Sequence, residues 1–107
     1  METFKELFEG KQAVDWNNEK YQDGLDGLAD DLGYEDVEWE YDGGKHDDFI
    51  MHWNAGDEQP KDLVNALKRN GVVLTKKTDG KPGGKMTEYE FKIKDKSKFE
   101  KLVKKYS

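Results

Sequence analysis

The sequence predicts an α+β domain in which a four-stranded antiparallel sheet, built from two hairpins, is covered on one face by about three helices. Two observations predict this fold. Apolar side chains alternate with charged ones in two pairs of segments around glycine-rich turns, which is typical of hairpins with one solvated face. Apolar residues also recur at helical spacing between and beside these segments. At 107 residues the chain fits one domain, and its three Trp, five Tyr and five Phe can anchor a small core although 39% of the residues are charged.

The first long helix is predicted between Asp15, its expected N-cap, and Gly33, which suits the position after a helix C-terminus. Two glycines inside the segment each cost up to about 1 kcal/mol relative to alanine. The helix therefore depends on packing, and a break near Asp23 is an alternative. The predicted buried stripe consists of Tyr21, Leu25, Leu28 and Leu32.

A hairpin and a second helix follow. Residues 37–41 alternate three apolar side chains with two glutamates, which predicts a half-buried strand. Residues 42–45 have turn composition, and residues 48–53 form the predicted returning strand. The next helix is expected to have Pro60 at its first position, since the fixed φ of proline suits it, and to end at Asn70.

The second hairpin comprises strands at 72–77 and 87–94 joined by a glycine-rich loop at 78–85. Ser97 and Glu100 have the spacing of a capping box, which predicts a final helix. The apolar side of that helix consists of Phe99, Leu102, Val103 and Tyr106.

Charge is distributed unevenly along the chain, whose net charge is −6. Residues 19–58 carry fourteen acids against two lysines, a net −12, whereas residues 59–107 carry fourteen basic residues against six acids, a net +8. Carboxylates along a helix and a strand can imitate duplex phosphates, because strand residues rise by about 3.3 Å and phosphates by about 3.4 Å. A solvated face that only maintains solubility is the alternative. The candidate partner-binding residues are Asp30, Asp31, Glu35, Asp36, Glu38 and Glu40.

No pattern predicts catalysis or a cofactor. Cysteine is absent, which excludes thiolate nucleophiles and cysteine-ligated zinc. His46 and His52 have carboxylates nearby, but six residues along one strand separate them by roughly 20 Å, too far to share a metal. The acidic cluster lacks the spacing of a calcium loop. We expect no enzymatic activity, no metal site and no cofactor.

Residues 60–94 suggest an alternative, because a helix followed by a lysine-rich hairpin resembles part of a winged-helix protein. The possible nucleic-acid contacts are Lys76, Lys77, Lys81 and Lys85. Since the whole chain is acidic and phosphates would repel it, we expect no direct binding to nucleic acid.

The first ten residues, METFKELFEG, form a short amphipathic segment 1–10 ahead of a single domain at 11–107. They resemble the capsid-targeting peptide of T-even-like tailed phages, which reads Met, any, Thr, aromatic, any, Glu, apolar. The resemblance extends to the head-protease site of that family and implies cleavage between Glu9 and Gly10. It also implies packaging in the phage head and delivery with the DNA; internal proteins of this kind can disarm a host defence enzyme.

These observations together favour a non-enzymatic phage accessory protein that binds and inhibits a host protein through its acidic surface. A nucleic-acid-binding enzyme is the partner that phosphate mimicry implies. A passive component of the virion and a weak nucleic-acid binder that uses the lysine-rich half are the alternatives. No apolar run approaches the roughly 18 residues that span a bilayer, so we expect a soluble protein without a membrane partner, in the host cytoplasm or carried in the head.

Overall fold

The computed structural model describes residues 13–107 and has the predicted α+β class. The segment 1–10, with its proposed targeting peptide and cleavage site at Glu9 and Gly10, lies outside the described residues. The elements in chain order are β1 (Val14–Asp15), α1 (Glu19–Asp31), β2 (Glu38–Glu40), β3 (Lys45–His46), β4 (Asp48–Trp53), α2 (Lys61–Arg69), β5 (Val72–Thr78), β6 (Thr87–Ile93) and α3 (Lys96–Tyr106).

The main sheet has four antiparallel strands in the order β2-β4-β6-β5. Each predicted hairpin is present, and the pairing of β4 with β6 joins the two, with Phe49 opposite Phe91 near the centre. Buried and half-exposed residues alternate strictly along β6, as expected for a sheet with one covered face. The helices contribute their buried side chains to one core with this face. The strand order makes β2 and β5 the edge strands of the sheet.

A second, two-stranded sheet was not predicted. Val14 of β1 pairs with His46 of β3, and Asp15 pairs with Lys45. The predicted N-cap of α1 was therefore wrong, because Asp15 belongs to a strand and its side chain accepts a hydrogen bond from the backbone of Asn17. The N-cap is Asn18, whose side chain accepts from the backbone N–H of Lys20.

Two glycines explain how α1 packs against α3. A β-carbon added at Gly24 would lie 2.8 Å from the Cα of Val103, and one at Gly27 would lie 2.5 Å from the carbonyl oxygen of Tyr106. The close approach of the helices thus requires glycine at both positions, and α1 runs unbroken past the alternative break near Asp23.

The helix ends differ from the predictions in detail. Pro60 is the N-cap of α2 and not its first helical residue, so the helix begins one residue later than predicted. The capping box was wrong, because Asp95 caps α3 by accepting from the backbone of Lys98, and Glu100 instead accepts a 2.6 Å hydrogen bond from the Tyr21 hydroxyl. Gly33 has a φ of +86° just after α1, which confirms its predicted position.

The core is rich in aromatic rings. Trp16, which is 1% exposed, contacts four other rings with centroid separations of 4.9–6.2 Å. These rings belong to Tyr21, Tyr41, Phe49 and Phe99, so one side chain in the β1–α1 connection joins two helices to the sheet. The predicted apolar side of α3 is buried through Phe99, Leu102 and Val103.

Candidate functional site

The six predicted partner-binding carboxylates are all exposed and follow one another from the end of α1 to the edge strand β2. We call this set the acidic edge. Two are the last residues of α1, two lie in the connection, and two point from β2, where Glu38 is opposite His52 and Glu40 is opposite Ile50. The acidic edge consists of Asp30, Asp31, Glu35, Asp36, Glu38 and Glu40.

Part of the acidic edge opposes the stability of the fold. Asp30 and Asp31 lie at the negative end of the α1 dipole, and the last turn of α1 contains no basic residue. Acidic residues there are unfavourable by about 0.3–1 kcal/mol each. Asp36 adopts a φ of +59°, a conformation that costs less for glycine. The helix dipole therefore does not favour acidic residues at positions 30 and 31.

The lysine-rich half of the chain does little to neutralise these charges. Four lysine–carboxylate pairs occur within residues 13–107, and only Lys92–Asp47, at 3.9 Å, joins the −12 segment to the +8 segment. In the acidic edge, Asp31 accepts a hydrogen bond from the Tyr106 hydroxyl at 3.0 Å, and Glu40 contacts His52. The remaining four carboxylates have no ion-pair partner in the described part of the chain.

A hollow beside the acidic edge was missed from the sequence. It has a volume of about 180 Å³, lies on the sheet face that no helix covers, and includes Ile50 and Thr75 in its walls. The hollow is surrounded by four carboxylates from three parts of the chain. These belong to Glu40, Asp42, Asp48 and Glu90. Only the cross-strand register brings them together, so no local spacing revealed them.

Two further acids on α1, Asp23 and Asp26, extend the negative surface behind β2. Partial burial, then the charge of Asp23, raises the pKa of Asp26 above its ordinary value. The indole N–H of Trp39 opposes this shift by attracting the carboxylate. Burial, reinforced by the charges of the same two acids, raises the pKa of Tyr41 so strongly that its phenol stays neutral at all ordinary pH values.

The two histidines do not belong to one strand, which corrects the expected geometry. His46 lies in the small sheet and contacts Asp42 at 3.2 Å, while His52 lies in β4 and contacts Glu40 at 3.0 Å. Each histidine thus has its own carboxylate. No group of three or more metal-ligating side chains is found among residues 13–107.

The four lysines of the possible nucleic-acid surface point in different directions. A bulge between Leu74 and Lys76 shifts the register, so Lys76 is opposite Glu90 on the open face while Lys77 lies over the ring of Tyr89 on the covered face. Lys77 also contacts Asp79 at 3.4 Å. Lys81 and Lys85 are exposed in the hairpin loop, and Lys85 is 4.0 Å from Glu88.

In the described range 13–107, no helix is both long enough and apolar enough to cross a membrane. No family model, curated protein or solved structure matches this chain.

Proposed function

We propose that this chain is a non-enzymatic phage accessory protein that binds a basic surface of a host protein through the acidic edge and thereby inhibits it. The observation that supports this proposal best is the exposure of six successive carboxylates, five of which lack an ion-pair partner in the described structure. Such a surface attracts a basic partner over a distance and accelerates association.

The unfavourable position of the acids supports a role in binding rather than in folding. A solubility face needs negative charge somewhere on the surface, but it does not need two aspartates at the negative end of a helix dipole. The two aspartates instead add to the run of exposed acids that continues along the chain from α1 into the edge strand β2.

The hollow on the open face suggests how a basic partner is recognised. An arginine or lysine of the partner would pack its aliphatic stem against Ile50 and bring its charge to the surrounding carboxylates. Such contacts favour arginine, whose guanidinium donates several hydrogen bonds in fixed directions. A partner that normally binds nucleic acid presents basic side chains of this kind.

The phage origin rests on the N-terminal resemblance, which also supports a second role as a passive component of the virion. Direct nucleic-acid binding is less well supported, because Lys76 and Lys77 lie on opposite faces of the sheet and do not form one basic surface.

A capture experiment with a matched control tests the proposal. The edge variant combines Asp30→Asn, Asp31→Asn, Asp36→Asn and Glu38→Gln, and each exposed substitution should cost less than about 0.5 kcal/mol of folding stability. The control variant makes the same change in charge at exposed acids outside the acidic edge: Asp57→Asn, Glu58→Gln, Asp62→Asn and Asp79→Asn.

We expect wild type and control variant to capture the same basic protein from host lysate, and the edge variant to lose it. Capture by the wild type should weaken as salt rises, because screening shortens the range of surface charges. Circular dichroism verifies that all three proteins fold. Equal capture by the edge and control variants, or no capture by wild type, would overturn the proposal.

A further inference from the structure

A groove between α2 and the edge strand β5 has a composition opposite to that of the acidic edge. It has a volume of about 290 Å³, and its apolar walls come from Val64, Leu74 and the ring of Tyr89. An adjoining hollow of about 320 Å³ shares Lys77 and Tyr89 with it. The groove volume is close to the lower end of the range of about 300–1,000 Å³ that is usual for small-molecule sites.

The charged groups of the groove are all positive. Lys61 and Lys68 are seven residues apart on α2, which places them on one side of the helix two turns from each other. Lys77 reaches the groove from β5 because the bulge in that strand turns it toward the helices. None of the nine residues that line the groove carries a carboxylate.

The N-terminus of α2 opens beside these lysines. Pro60, the N-cap, lines the groove and provides no side-chain hydrogen bond to the first turn. The free backbone N–H groups of a helix N-terminus and the positive end of its dipole favour anions. This nine-residue helix therefore adds positive potential at the same place.

Tyr89 provides independent evidence for a ligand. Its side chain is only 3% exposed, it lines both the groove and the adjoining hollow, and its hydroxyl has no hydrogen-bond partner among the described residues. A buried hydroxyl without a partner is unfavourable, and an acceptor supplied by a ligand would remove that penalty. The flexible side chain of Lys77, whose ammonium lies 5.5 Å from the ring centroid, lies over the ring.

We propose that this groove is a binding site for a small organic anion, namely a carboxylate or phosphate monoester on a flat apolar body. The anionic group of the ligand is bound by Lys61, Lys68 and Lys77, and it replaces Asp79 as the partner of Lys77. The apolar body packs against Val64 and Leu74, and the Tyr89 hydroxyl donates a hydrogen bond to an anionic oxygen. This site lies outside the acidic edge and does not depend on its function.

Titrations followed by ¹⁵N–¹H NMR test the site with four probes. Phenyl phosphate and phenylacetate carry the two kinds of anion on the same ring, benzyl alcohol carries the ring without charge, and inorganic phosphate carries the charge without a ring. We expect saturable shifts at the amides of Lys61, Val64 and Tyr89 with one or both aromatic anions. Benzyl alcohol should bind at least about tenfold more weakly, because it lacks the charged hydrogen bond. Inorganic phosphate should also bind at least about tenfold more weakly, because it lacks the apolar contact of the ring.

Three variants separate recognition from stability. The groove variant, Lys61→Gln with Lys68→Gln and Lys77→Gln, should bind the better aromatic anion at least about tenfold more weakly, since three charge-assisted contacts are lost. The lysine control variant, which combines Lys94→Gln, Lys98→Gln and Lys104→Gln, changes exposed lysines outside the groove and should bind this anion as the wild type does. Tyr89→Phe should leave the midpoint of thermal unfolding unchanged or raised, because the lost hydroxyl has no partner, while affinity falls about tenfold.

The proposal is overturned if the shifts do not saturate, if benzyl alcohol binds as well as the aromatic anions, or if the lysine control variant weakens binding as much as the groove variant. An unchanged affinity of Tyr89→Phe would refute the role of the phenol.

Discussion

Replacing Gly24 by alanine tests whether the contact between α1 and α3 organises the fold. In an isolated helix this substitution would be favourable by about 0.8–1 kcal/mol, because alanine loses less conformational freedom than glycine. In this structure the new β-carbon would lie 2.8 Å from the Cα of Val103 and 2.9 Å from its Cγ1. The two effects oppose each other, so the sign of the change in stability is informative.

The contact geometry indicates which effect dominates. Adding atoms to a well-packed core usually costs about 1–3 kcal/mol. The upper half of that range applies, because the obstruction includes the backbone of Val103 in α3, which a change of rotamer cannot relieve. Subtracting the gain in helix propensity leaves a net destabilisation of about 1–2 kcal/mol. For a domain of this size the midpoint of thermal unfolding should fall by about 4–16 °C.

Chemical denaturation of Gly24→Ala alongside Asp23→Ala provides the measurement. Asp23 is the neighbouring exposed position on α1, where alanine should raise stability by about 0.5 kcal/mol through helix propensity. A rise in the stability of Gly24→Ala by the full propensity gain would refute the reasoning, since it would mean that α1 and α3 do not approach closely in solution.

Three further predictions concern ionisation and processing. Burial, with Glu100 as hydrogen-bond acceptor, raises the pKa of Tyr21 from 10.0 to about 12. Folding stability should therefore fall as the pH rises from about 10 to about 12. In urea titrations, Tyr21→Phe should lose less stability than the wild type over that pH window. Because the pKa of Asp26 is raised, its charged form is disfavoured by folding, and Asp26→Asn should raise stability by up to about 0.5 kcal/mol near neutral pH. That gain should vanish below the ordinary carboxyl pKa of 3.8, where both states are protonated. If the N-terminal resemblance reflects packaging, intact-mass spectrometry of purified phage particles should find a chain that begins at Gly10, whereas an intact Met1 there would refute the packaging.

The elements of the main sheet were predictable because their signals are local. Alternation along β2, β4 and β6 identifies both the strands and their buried face, and the glycine-rich turns indicate which neighbours pair. The two-residue strands β1 and β3 were missed, because two residues cannot show a periodic pattern. The start of α1 was misplaced because Asp15 and Asn18 are both good capping residues, and only tertiary pairing assigns Asp15 to a strand.

The features that the sequence did not reveal depend on contacts between residues far apart in the chain. Glu100 was assigned to a local capping box, but it accepts a hydrogen bond from Tyr21, 79 residues away. The exposure of the acidic edge followed from its charge, whereas the hollow beside it needs the register between β4 and β6 to bring Asp48 and Glu90 together. Similarly, strand alternation does not reveal the bulge that turns Lys77 toward the groove.

The acidic edge and the lysine groove lie at opposite edges of one sheet, with β4 and β6 between them. Three inter-strand steps separate β2 from β5, a distance of roughly 14 Å, which exceeds the screening length of about 8 Å at physiological salt. Charges at one edge therefore have little influence on binding at the other. A basic partner would be oriented toward β2 and would leave the groove beside β5 open. The edge variant should accordingly bind the better aromatic anion as the wild type does, and the groove variant should still capture the basic protein. Loss of both activities in either variant would show that the two edges act as one surface.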